Sequence, residues 1–133
     1  MGTPRILVAD NSEVHCRILS GVLRREAWDV VTAADGREAV EKASGQAPDV
    51  VILRGRMPGT SGVEACRALR RREETRRVPI LIFTAEGDVE GLQAALASGC
   101  SDYFVAPLDF GELVARIRAY LHRPCTVALL TAG

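Results

Sequence analysis

Five short apolar runs alternate with five stretches of helical periodicity, and this alternation limits the possible folds more than any other feature. Arg5 to Ala9 reads as a buried strand ending at Asp10. Ser12 is placed as the N-cap of a helix whose stripe is Val14, Ile18, Leu19, Val22 and Leu23. Trp28 to Ala33 is the second strand; Glu38 to Ser44 is a short helix stopped by Gly45 and Pro48. Asp49 to Leu53 is the third and most apolar strand, and Arg54 to Gly59 reads as a loop. A helix follows from Ser61 to about Glu74, with Val63, Cys66, Leu69 and Arg70 along it and a charged, solvated end. Pro79 to Phe83 is the fourth strand, ending at Thr84. Asp88 caps a helix with Val89, Leu92 and Leu96 inside, closed by Gly99. Ser101 to Val105 is the fifth strand. Asp109 caps the last helix, with Phe110, Leu113, Val114, Ile117 and Leu121 on one face.

Continuous apolar strands in a βα repeat mean a parallel sheet covered on both faces. Right-handed crossovers reduce the topologies to a doubly wound α/β fold, most simply a flavodoxin-like (βα)5 sheet of order 2-1-3-4-5. Residues 4–122 form this domain, and residues 123–133 read as a tail or linker. In such sheets ligands meet the carboxyl ends of the strands. Those ends fall at Asp10 and Asn11, Arg54, Thr84 and Ala106.

Composition narrows the function classes. A chain of 133 residues suits one core. Seventeen Lys+Arg against seventeen Asp+Glu argues against a dedicated nucleic-acid binder. An apolar content of 47% argues against disorder, and no apolar run approaches the roughly 18 residues of a membrane span. The N-terminal stretch is too short and too early in acid for a signal peptide, so a cytoplasmic domain is expected. Cys16, Cys66, Cys100 and Cys125 lack paired spacing and read as reduced thiols without a zinc site. His15 and His122 are placed away from the strand ends and given no catalytic role. The arginines around Arg76 and Arg77 are interleaved with Glu73 and Glu74 and read as a solvated helix end. No base lies beside a nucleophile, so no enzyme is expected.

The strand-end blocks ILVADN, DGREAV, PDVVIL with RMPGTSG, VPILIFTAE and GCSDYFVAPLD resemble the receiver domain of two-component response regulators, the CheY-like family. The resemblance covers residues 4–122. It implies phosphoryl transfer from a histidine kinase to an aspartate at the end of the third strand. Mg²⁺ would be held there by an acidic pair, the acceptor carboxylate and a backbone carbonyl. It also implies a lysine before the fifth-strand proline, a hydroxyl on the fourth strand and a switching aromatic on the fifth. Matched to this sequence, the acidic pair falls on Asp10 and Asn11, the acceptor on Arg54, and the carbonyl on Arg56. The hydroxyl falls on Thr84, the aromatic on Tyr103 and the lysine on Ala106; Pro107 is a cis-proline candidate.

Three departures point the same way. One acid has become an amide, the acceptor a guanidinium, and the lysine an alanine. Arginine stays charged and offers no nucleophilic oxygen. Asp49 stands at the opposite end of its strand and is no substitute. The reading is a pseudo-receiver that signals by protein contact, without phosphorylation and with weak Mg²⁺ binding or none. It predicts an Arg54–Asp10 ion pair. A homodimer or partner face is expected on the fourth helix, fifth strand and fifth helix, carrying Glu90, Gln93, Ala94, Ala97, Tyr103, Arg116 and Arg118. Two alternatives are a sensor of small molecules or anions, with Arg54 facing outward beside Arg56, and a kinase or phosphotransfer scaffold that docks without accepting phosphate.

Overall fold

The computed structural model describes residues 2–122. The expected tail at residues 123–133, with Cys125, lies outside them. Ten elements alternate: β1 (Arg5–Ala9), α1 (Glu13–Arg24), β2 (Asp29–Ala33), α2 (Gly36–Gln46), β3 (Val50–Arg54), α3 (Gly62–Arg71), β4 (Ile80–Thr84), α4 (Val89–Ala97), β5 (Asp102–Val105) and α5 (Phe110–Leu121). The five strands pair in parallel in the expected order β2-β1-β3-β4-β5.

Alternation along the strands divides the core in two. Leu7, Ala9, Val51, Leu53, Ile80 and Ile82 point to the side packed by α2, α3 and α4. Ile6, Val8, Val50, Ile52, Leu81 and Phe83 point to the side packed by Leu19 and Leu23 of α1 and by Leu113, Val114 and Ile117 of α5. Both faces of the three central strands are therefore apolar, which is why those segments read as continuous runs. The same alternation, carried one step past Val8 and Ile52, brings Asp10 and Arg54 to the α1/α5 side.

Local boundaries depart from the sequence reading for identifiable reasons. The strands β3 and β4 run one residue further, because Arg54 pairs with Phe83 and Thr84 with Val105 in the ladder. Arg54 is thus the last strand residue, and the loop begins at Gly55. Helix α2 starts at Gly36 over the Asp35 cap and passes Gly45, ending on Ala47 at φ 46°. Pro48 explains that stop, since a following proline disfavours the right-handed helical conformation at Ala47.

Two helices bury different stripes from those expected. On α1 the buried residues are Leu19, Ser20 and Leu23, while Val14 and Ile18 are exposed. On α4 they are Gly91 and Ala95, with Val89 and Leu96 exposed. Small residues let α4 lie close to the sheet.

Helix α3 is held by a capping box. Ser61 Oγ accepts from the Glu64 N–H, and Glu64 Oε1 accepts from the Ser61 N–H, both at 3.1 Å. Its end is not simply solvated. Arg70 donates to the carbonyls of Gly99, Arg76 and Val78 and to Ser101 Oγ, at 2.6–3.2 Å. This guanidinium ties the amino-terminal edge of β4 and β5 to α3, and burial lowers its pKa. At the sheet's edge, Lys42 Nζ donates to the Thr32 carbonyl of β2 at 2.6 Å.

Candidate functional site

The parallel register sets Ala9 beside Leu53, so the residues that follow them, Asp10 and Arg54, emerge side by side. The Asp10 side chain is fully buried. Its Oδ1 accepts from Arg54 Nη1 at 2.8 Å and from the Ser12 N–H at 2.9 Å. Its Oδ2 pairs with His15 Nδ1. The expected Arg54–Asp10 ion pair is present, and the Arg54 side chain remains 39% exposed where it lines the strand ends.

His15 belongs at the strand ends, contrary to the sequence reading. It is the third residue of α1, and the Ser12 cap fixes that first turn by accepting from the His15 N–H at 3.2 Å. Its ring lies 5.4 Å from Phe83, centroid to centroid. The Arg54 Cζ lies 6.0 Å from the same ring. Phe83 thus supports both partners of Asp10, with Arg54 at the outer limit of a cation–π contact. The spacing from cap to third helical residue was the available signal for His15.

Arg56 forms a second bridge across the strand ends. Its Nε and Nη2 contact Asp88 Oδ2 and Oδ1 at 2.5 and 2.9 Å. Asp88 is also the N-cap of α4 and accepts from the Gly91 N–H at 2.9 Å. The guanidinium, then the Gly91 N–H, hold this carboxyl down to about 2. A depressed folded-state value means the pair contributes above the ordinary carboxylate range, near 3.9, and is lost as pH falls through about 2. Carbon-13 titration of Asp88 is expected to show that low midpoint. In an Arg56→Ala variant the midpoint should rise toward the ordinary value; an unchanged one would refute the assigned cause.

The remaining positions are distributed unevenly. Thr84 is buried, and its Oγ1 has no hydrogen-bond partner among the described residues. The Ala106–Pro107 peptide is cis, as expected from the candidate at Pro107. Asn11, Arg54, Arg56, Thr84, Ala106 and Pro107 line one crevice of about 720 Å³. Tyr103 does not join them; it is 42% exposed on β5, opposite Ile82. On the expected partner face, Arg116 is held by Asp102 and Glu112, and Arg118 by Glu26, so neither is a free charge. Among the described residues, no group of three or more His, Cys, Asp or Glu is arranged to hold a metal ion. No helix among them is long and apolar enough to cross a membrane.

The sheet order, helix placement and strand-end crevice define a receiver-type α/β domain. The family model described as the response regulator receiver domain matches residues 6–118, and the chain belongs to that family. It is 40% identical over 120 residues to the phosphate regulon transcriptional regulatory protein PhoB of Rhizobium meliloti, covering 90% of this chain and 53% of that protein. It is 38% identical over 119 residues to the response regulator ArlR of Staphylococcus aureus, covering 90% and 53%. The chain spans about half the length of these curated relatives.

Among solved structures, the chemotaxis protein CheY4 of Vibrio cholerae superposes with a TM-score of 0.82 at 31% identity, covering 90% of this chain and 99% of that one. The receiver domain of the sensor histidine kinase PA1611 of Pseudomonas aeruginosa gives 0.85 at 29% identity, covering 90% and 98%. That structure holds a magnesium ion in its active-site cleft.

Proposed function

We propose that this receiver domain is a pseudo-receiver, which transmits signals by protein contact and takes no phosphoryl group. The carrying observation is the 2.8 Å bond from Arg54 Nη1 to Asp10 Oδ1. A guanidinium stands at the end of β3, where the resemblance places the acceptor carboxylate. It has no nucleophilic oxygen, and it stays charged.

The donor set does not fit Mg²⁺. A magnesium site needs oxygen ligands left free to face the ion. Here both Asp10 oxygens are already engaged by Arg54, Ser12 and His15. A cation would have to displace another cation. Ala106 accords with this reading, because a lysine there would add a positive charge beside Arg54 with no phosphoryl group to pair. The domain is then a cytoplasmic signalling module with no catalysis of its own. Its partner, another protein or a second copy, docks on α4, β5 and α5. Exposed Val89, Leu96, Tyr103 and Val105 give that face the apolar surface such docking uses.

The test is incubation with acetyl phosphate and Mg²⁺, followed by intact-mass measurement. No phosphoryl adduct is expected, and Mg²⁺ should leave the amide spectrum at the strand ends unchanged. A stable adduct on any residue would overturn the proposal.

A further inference from the structure

We infer that the strand-end crevice binds a small organic oxyanion, a carboxylate or phosphate ester carried on a flat apolar body. The inference rests on the pseudo-receiver reading, since it needs the crevice free of a covalent phosphoryl group. Three observations carry it.

First, the crevice is large enough. Its volume of about 720 Å³ lies within the range of small-molecule pockets, roughly 300–1,000 Å³.

Second, its polar groups have unused capacity. Arg54 uses one N–H on Asp10, and its side chain is still 39% exposed. The guanidinium carries five N–H donors in a plane suited to two oxygens of one head group. Thr84 lines the same crevice, and its buried Oγ1 is without a partner among the described residues. A buried hydroxyl left unpaired costs free energy, and a turn of the Thr84 side chain onto a bound oxygen would recover it.

Third, part of its wall is apolar. Ala106, Pro107, Leu108 and Phe110 contribute to it. None brings a charge, so a lone inorganic ion would leave this wall in contact with water. An apolar body attached to the head would cover it. The other charges near the head are already matched. Asp10 is buried beneath Arg54, and Arg56 is held by Asp88. The head group therefore meets the free edge of Arg54 without an opposing bare carboxylate.

The experiment is an amide ¹H–¹⁵N titration of the whole chain with four probes: benzoate, phenyl phosphate, inorganic phosphate and benzyl alcohol. Benzoate or phenyl phosphate should shift the Thr84, Ala85 and Ala106 signals saturably. Inorganic phosphate supplies only the head and benzyl alcohol only the body, so each should bind at least about tenfold more weakly. Thr84→Val, which keeps the shape and removes the hydroxyl, should weaken binding several-fold. Ala106→Glu should set a carboxylate against the head group and abolish it, and both variants should retain a folded spectrum. Benzoate and phenyl phosphate both failing to give saturable shifts up to about 10 mM would overturn the inference. Equal binding of either partial probe, or binding unaffected by Ala106→Glu, would do the same. A phosphoryl adduct from acetyl phosphate would instead mark failure of the underlying reading, and mass measurement detects it separately.

Discussion

Replacing Arg54 with methionine is expected to destabilise the domain by about 2 kcal/mol, read from the urea midpoint. Methionine keeps an apolar stem but removes the guanidinium and its charge. The Asp10 carboxylate stays fully buried, with only the Ser12 N–H and His15 to satisfy it. Breaking a buried pair costs about 3–5 kcal/mol when both ions are desolvated. Arg54 is 39% exposed, so its share is screened and the lower figure applies. The double variant Asp10→Asn with Arg54→Met separates this cause from lost packing. With no buried charge left uncompensated, it should lose much less than the sum of the single losses. Strictly additive losses would show that the two side chains do not act as a pair.

The largest expected effect comes from Gly62→Ala, at about 3 kcal/mol or more. A Cβ at Gly62 would stand 2.1 Å from the Arg54 carbonyl oxygen and 2.8 Å from its carbonyl carbon. Both are backbone atoms, so no side chain can rotate out of the way. The start of α3 would have to lift from the end of β3, breaking the bond from the Gly62 N–H to the Gly55 carbonyl at 3.0 Å. Gly21→Ala is the matched control. It lies inside α1 with nothing within 4 Å of the added atom, and should stabilise by about 0.5–1 kcal/mol. Opposite signs from one chemical change would assign the loss to the close approach. A Gly62→Ala protein as stable as the parent would refute that approach.

The sheet was legible in the sequence because each strand is a run of apolar residues closed by a turn or a cap. The pairing of Asp10 with Arg54 was legible too, since the order 2-1-3-4-5 makes β1 and β3 neighbours. What the pattern could not supply was rotation about helix axes. Val14 and Ile18 satisfy a four-residue spacing, yet α1 turns Leu19 and Leu23 inward and leaves the first two in water. The same rotation brings His15 to Asp10, so one misjudged angle hid a site residue and proposed two false core residues. Arg70 was hidden differently. Its partners are mostly carbonyls, and a backbone acceptor leaves no mark in a sequence. The charge of Arg54 suggested a loop, but ladder pairing depends on the backbone and extends through it.

Lys42 provides the last consequence. It carries the one side-chain amine of the sequence, and that amine covers a carbonyl on the outermost strand. Acylation would neutralise it and remove a donor, leaving the Thr32 carbonyl open to a strand from another molecule. An amine-reactive reagent consequently has a single side-chain target, on this border of the sheet.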